Sequence, residues 1–345
     1  MKHLLRRSIN CITRSLVFII SMGVMVQCEK DEPPHEVTIP DDYFLSALIE
    51  SGVDADGDGT ITTAEAEAVR FLDISCDSIS DVSGIEKFIN LDSLFCYQNQ
   101  LTSLDVSHQK GLLKLFCFGN LLQSLDVSGN NALRELYCAG NLIASLDVSS
   151  NEELEWLQCG SNELSSLDVS NNTVLKGLEC GDNKLSCLDV TNNTLLTWLD
   201  CRWNHNIGTL DLSSNDSLEV LYCDGNNLSS LDVTHLSKLS ILSCSYNQLT
   251  TLDVSSNTAL WILYCWENEL TSLDVSNSPS LWLFNCSGNQ LTELDVSQNP
   301  AISNLIVSYM PSLEMVCVWT SPFPPDEVHV DTCQSPNAYF TTDCE

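Results

Sequence analysis

The sequence predicts a mainly β solenoid of about ten coils with short, stacked parallel strands and weak curvature, preceded by a small helix-loop-helix cap. Three observations carry this. A unit of about 21 residues, L-x-x-L-x-C-x-x-N-x-L-x-x-L-D-V-S-x-N-x-x, recurs ten times between Leu91 and Ala301. Within each unit, apolar and polar residues alternate with the period of a strand that buries one face. A twelve-residue acidic loop, Asp54 to Glu65, separates two segments with helical apolar spacing. A fixed short period means one structural unit per repeat, each burying its apolar face against its neighbours. A chain of 345 residues can therefore be one elongated body instead of two or three compact domains.

Residues 1–27 combine Lys2, Arg6, Arg7 and Arg14 with an apolar run from Leu16 to Val26. That is the form of a secretory signal, and the run is too short to span a bilayer comfortably. The following Cys28-Glu29-Lys30-Asp31-Glu32 resembles the lipidated cysteine and acidic export tag of surface lipoproteins from Bacteroidetes-type bacteria. The resemblance implies a lipid anchor at Cys28 and a place on the outer membrane or cell surface. Met25 and Gln27 depart from a typical lipobox, which has Leu and a small residue there, so a soluble secreted protein is the alternative. Residues 28–41 are polar and contain Pro33, Pro34 and Pro40, as in a tether.

Residues 42–71 form the expected helix-loop-helix. Phe44, Leu45, Leu48 and Ile49 have helical spacing, and the alanine-rich stretch from Thr63 to Phe71 is the second helix. The loop between them, Asp54-Ala55-Asp56-Gly57-Asp58-Gly59-Thr60-Ile61-Thr62-Thr63-Ala64-Glu65, matches every key position of an EF-hand loop. The match implies calcium as cofactor. Asp54, Asp56 and Asp58 offer carboxylate oxygens, Thr60 its carbonyl, and Thr62 a direct or water-mediated ligand. Glu65 offers a bidentate carboxylate, and Gly59 permits the sharp turn. Sensors pair two hands, whereas here a single hand stands beside a repeat array, which favours a structural staple over a switch.

The ten units begin at Leu91, Leu112, Leu133, Leu154, Leu175, Leu196, Leu218, Leu239, Leu260 and Leu281. Only the Leu196 unit is longer, by one residue within Asn204-His205-Asn206, where a surface bulge can absorb it. Leu94 and Cys96 point inward from the first strand, and Leu104-Asp105-Val106-Ser107 implies a second extended segment across the coil. Ten coils then span roughly 50 Å at about 4.8 Å each. Cys96, Cys117, Cys138, Cys159, Cys180, Cys201, Cys223, Cys244, Cys265 and Cys286 share one position, so they form a column of buried thiols and not a disulfide framework. One ligand per coil does not converge on a metal. The asparagine column from Asn99 to Asn289 satisfies turn amides and carbonyls. The aspartate column from Asp105 to Asp295 faces repulsion between neighbours, offset either by serine and backbone hydrogen bonds or by gathered cations.

This pattern resembles the leucine-rich repeat family, specifically its short bacterial class, with cysteine in place of the third leucine. Residues 72–90, with Ile79-Ser80-Asp81-Val82-Ser83-Gly84-Ile85, resemble an opening repeat of the internalin kind. The repeats occupy residues 91–301. Residues 302–345 lose the period and gain Pro311, Pro322, Pro324, Pro325 and Pro336, as in a terminal cap. There Cys317, Cys333 and Cys344 allow one disulfide in any of three pairings. Cys76 and Cys187 have no assigned partner.

Function is written where folding constrains least, on the outward positions of the first strand. Phe95, Tyr97, Phe116, Phe118 and Tyr137 form one aromatic group; Tyr222, Trp261, Tyr264, Trp266 and Trp282 form another. Trp156 and Trp198 lie between them beside Glu179, Asp200 and Arg202. Three readings fit these rings: cross-strand packing, recognition of a protein, and stacking on sugars. The chain carries 14 basic and 47 acidic residues, which makes nucleic acid a poor partner. Its six histidines form no metal-ligand spacing, and no nucleophile elbow, phosphate loop or dinucleotide fingerprint is present. The expectation is a non-enzymatic adhesin or protein-recognition module, or alternatively a surface glycan-binding lipoprotein of a polysaccharide-capture system.

Overall fold

A computed structural model describes residues 35–344, so the signal segment and Cys28 lie outside the described residues. Helix α1 (Asp42–Glu50) starts at Asp41, whose Oδ1 accepts from the Tyr43 and Phe44 amides. The other oxygen of Asp41 accepts from the Ser80 amide and hydroxyl and from the Asp81 amide, which ties the helix to the opening coil. Helix α2 (Thr63–Ala68) carries a capping box between Thr62 and Glu65. It is shorter than the alanine-rich stretch, because Phe71–Asp73 already forms the first strand of the solenoid. Phe44, Ala47, Leu48, Ile61 and Ala66 are buried in one continuous core with the repeats. No helix among the described residues is long and apolar enough to cross a membrane.

Thirteen three-residue strands stack in one parallel sheet. Ten belong to the repeats, from Ser93–Phe95 to Leu283–Asn285; Phe71–Asp73 precedes them, and Asn304–Ile306 and His329–Asp331 follow. The sheet thus exceeds the ten coils that the repeat spacing predicts. The terminal segments lose the consensus but keep an apolar residue facing inward, as Leu305 does beside Phe284. Register is in step throughout, with Leu94 opposite Leu115 and Leu115 opposite Leu136. The 22-residue coil resolves as expected: Asn204 stays buried while His205 and Asn206 bulge into solvent.

The second extended segment behaves differently. Leu104 and Val106 point inward as the alternation requires, but this side becomes a hydrogen-bonded sheet only at the carboxy-terminal end. There Glu293–Asp295, Met315–Cys317 and Tyr339–Thr341 pair, and the Cys317–Cys344 disulfide fastens the last strand. Elsewhere the segment lies on the outer surface, where water can take its amides and carbonyls.

All ten column cysteines are fully buried. Each turn is closed by an asparagine. Asn162 donates to the carbonyls of Cys138 (3.0 Å) and Cys159 (3.1 Å) and accepts from the Ile143 amide (3.0 Å). Asn204 completes this column in the longer coil, with the same bonds to Cys180 and Cys201. A second buried ladder, including Asn130, Asn151, Asn172, Asn193 and Asn215, closes the opposite corner by donating to carbonyls. The aspartates make serine turns: Asp126 Oδ1 accepts from the Ser128 amide at 2.9 Å and its hydroxyl at 2.6 Å. These bonds, the hydroxyl's foremost, hold the Asp126 carboxyl below the usual range.

Candidate binding face and acidic loop

Alternation along each strand places three outward columns on the sheet. The central column runs Phe95, Phe116, Tyr137, Gln158, Glu179, Asp200, Tyr222. At the amino-terminal end the rings stack on one another at the strand spacing. Phe95 and Phe116 lie 4.4 Å apart and Phe116 and Tyr137 4.2 Å, both nearly parallel, while Tyr97 and Phe118 stack at 4.5 Å in the next column. These rings are half-buried by each other. They are therefore both cross-strand packing and an apolar surface.

The second group is arranged across the sheet instead of along it. Trp261 and Trp282 precede their strands and stand at one rim, stacked at 5.9 Å and largely exposed. Trp266 stands at the other rim against Tyr246, 4.2 Å away, and Tyr264 lies on the strand between. Trp203 joins Tyr246 at 5.3 Å. Phe71, Trp203 and Tyr246 escaped the sequence reading. Trp203 and Tyr246 fall just before a ladder asparagine, a turn position where φ is positive (56° and 52°) and the side chain is carried to the rim of the sheet. A tryptophan or tyrosine at a position that otherwise takes Gly, Ser, Asp, Gln or Glu was the available signal.

Between the groups the face turns acidic and open. Trp156 lies flat over Gly177, where an added Cβ would come within 2.1 Å of the indole, and Trp198 stands exposed on the next coil. Arg202 clamps the buried Asp200 with both Nε and Nη2 and covers the Tyr222 ring at 4.7 Å. Glu179 has no such clamp: its carboxyl is pushed up by burial and then by neighbouring Asp200, with Arg202 acting in the opposite direction. Asp224, also pushed up by burial, accepts from Ser243 Oγ and the Ser245 amide through one oxygen.

The acidic loop brings Asp54, Asp56 and Asp58 together, with one oxygen of each within 4.8 Å of the others. Loop amides shape this arrangement: Gly57 and Gly59 donate to Asp54, Asp58 to Asp56, and Thr60 to Asp58. Glu65 stands apart from that oxygen group. Its carboxylate accepts from the Ala55 amide and from the Thr62 amide and hydroxyl. The segment next to the loop is Glu36–Val37: Val37 donates to the Ile61 carbonyl at 2.7 Å, and Glu36 bridges Thr62. A stretch expected to be tether therefore packs against the acidic loop. The three converging carboxylates form an all-oxygen group, which suits a hard cation.

No family model matches the chain, and none of the curated proteins does. Solved structures do. The functional domain of InlJ from Listeria monocytogenes, described as including a cysteine ladder, is 29% identical, with 80% of this chain and 74% of that one covered and a TM-score of 0.55. An internalin, InlF, from the same organism is 19% identical, covering 90% and 99%, with a TM-score of 0.70. The leucine-rich repeat ectodomain of an Arabidopsis thaliana membrane receptor kinase, solved in complex with Casparian strip integrity factor 2, is 20% identical over 76% of this chain and 37% of that one, TM-score 0.61. The fold is thus the leucine-rich repeat solenoid, and its structural neighbours include internalin-type bacterial proteins.

Proposed function

We propose that the chain is a non-enzymatic, surface-displayed recognition module that binds a protein ligand across its strand face. The observation that carries this reading is the uneven outward column. Leucine, cysteine and asparagine repeat because the stack needs them, whereas Phe95, Phe116, Tyr137, Trp198 and Tyr222 depart from the period at positions the stack leaves free. Half-exposed aromatic rings on a rigid sheet offer large contact area with little entropy left to lose. The receptor ectodomain's complex with Casparian strip integrity factor 2 supports use of the fold for recognition. A second reading, a glycan-binding lipoprotein of a polysaccharide-capture system, is supported by Trp198, Trp261 and Trp282, whose exposed indoles offer flat faces to sugar rings. A host-protein pull-down set against a glycan array separates the two. The Phe95, Phe116 and Phe118 to serine variant should lose protein capture, and retained capture overturns the reading.

The amino-terminal cap is read as calcium-stapled. Asp54, Asp56, Asp58, Thr60, Thr62 and Glu65 would hold the ion, Glu65 by turning from its present amide partners. Pairing of Val37 with Ile61 supports a structural role, because this chain's own segment lies where a hand would otherwise pair. Lipidation at Cys28 would hold the module on the outer membrane; Cys28→Ala should release it into the medium, and unchanged membrane retention would overturn the anchor.

A further inference from the structure

We propose that the middle of the strand face takes an arginine side chain of the protein partner, its guanidinium on the Glu179 carboxylate and against the Trp156 and Trp198 indoles. This rests on the protein-recognition reading and names the chemistry of one contact within it. Glycines flank Glu179 at 177 on its own strand, at 181 just beyond the end of that strand and at 160 on the neighbouring coil, so no side chain from these positions covers the carboxylate. A Cβ at Gly160 would already lie 3.2 Å from its Oε1. On one side is a depression of about 90 Å³ lined by Tyr137, Trp156, Gln158, Gly177, Glu179 and Trp198. On the other is one of about 180 Å³ lined by Ser161, Glu179, Gly181, Asp182, Asp200, Arg202 and Trp203, with the Arg202 guanidinium turned onto Asp200.

Every nearby cation of this chain is committed elsewhere. Lys114 pairs with Glu135 (2.8 Å), Lys176 with Glu155 (2.5 Å), Arg134 approaches Glu153 and Glu155, and Arg202 is held by Asp200. Among the described residues, Glu179 makes no side-chain hydrogen bond or ion pair. A half-buried carboxylate whose neighbouring guanidinium, Arg202, is bound to another carboxylate is costly, and a desolvated cation from outside relieves that cost. Arginine fits better than lysine because its planar fork meets a carboxylate through two bonds and stacks on indole faces. The face already treats its own guanidinium this way, with Arg202 between Asp200 and Tyr222. A neutral sugar would leave Glu179 unpaired.

The test measures binding of acetyl-Gly-Arg-Gly-Arg-Gly-amide to the mature chain by tryptophan fluorescence at physiological salt, beside its citrulline and lysine counterparts. The arginine peptide should bind most tightly. Glu179→Gln and Trp198→Ser should each weaken it about tenfold or more, roughly 1.4 kcal/mol. Glu152→Gln, which removes the same charge from an exposed turn, should leave it unchanged. Equal binding of the citrulline peptide, or equal effects of Glu179→Gln and Glu152→Gln, overturns the site; a lysine peptide that binds as tightly overturns the arginine assignment. Protein capture that is lost on serine replacement of Phe95, Phe116 and Phe118 but untouched by Glu179→Gln would remove this contact and leave the recognition face standing.

Discussion

A single asparagine in the first ladder joins two coils. Asn162 ties Cys138, Cys159 and Ile143, so Asn162→Ala leaves the buried Ile143 amide without a partner, while the carbonyls keep a second donor each, Asn141 on Cys138 and Asn183 on Cys159. The expected loss is about 1–3 kcal/mol by urea unfolding. The exposed Asn171, which donates only to the Ser149 carbonyl, should cost under about 1 kcal/mol when changed to alanine. Equal effects would show that turn closure does not depend on the ladder. This column was legible because asparagine recurs at one position and a turn needs both a donor and an acceptor. The second ladder stands in the same consensus, but its residues follow a serine turn that reads as solvent-facing, and only the packed coil shows them buried. For the aspartates, geometry favours side-chain and backbone bonds over gathered cations as the offset to repulsion, since all ten, from Asp105 to Asp295, accept the amide two residues on.

At the scale of the element, the cysteine column sets an alkaline limit on the fold. Burial pushes the thiols up, Cys96, Cys138 and Cys286 to about 12. An unfolded thiol ionises near pH 8.5 while the buried one stays protonated, so this stability is fully present below pH 8.5 and lost as pH rises beyond it. The expected slope is ~1.4 kcal/mol per pH unit for each thiol, and Cys138→Val should flatten it by that amount in urea midpoints taken from pH 8 to 11 under reducing conditions. An unchanged slope would mean that the thiols ionise alike folded and unfolded. The amino-terminal element carries a parallel expectation: calcium should raise the melting temperature of the chain and leave Asp54→Ala unmoved. Identical curves for the unaltered chain with and without calcium would end the staple reading. The loop was fully legible as a motif because its ligands are consecutive in sequence. Its partner segment at Glu36–Val37 was not, since two residues in a proline-containing stretch carry no periodicity.

Across the whole molecule, each coil contacts only its neighbours, so register and not length should decide whether the chain folds. Deleting residues 154–174 removes one complete unit and sets Glu153 before Leu175, which repeats the original junction with Leu154. That chain should keep a cooperative melt and a sheet one strand shorter. Deleting 154–173 instead leaves one residue too many between ladder positions. The 22-residue coil absorbs an extra residue at Asn204 to Asn206, after the strand, but here the surplus falls before it, where a one-residue slip turns leucines outward. Loss of cooperative folding is expected for this second deletion by circular dichroism, and equal melts would refute register control. The first deletion also separates shape from recognition. It removes Trp156 and brings Tyr137 beside Glu179 in the central column, so the solenoid survives while the spacing between the aromatic group and the acidic centre changes by one coil. If the partner reads that spacing, a folded deletion variant should no longer capture it; retained capture would place the contact within one aromatic group alone.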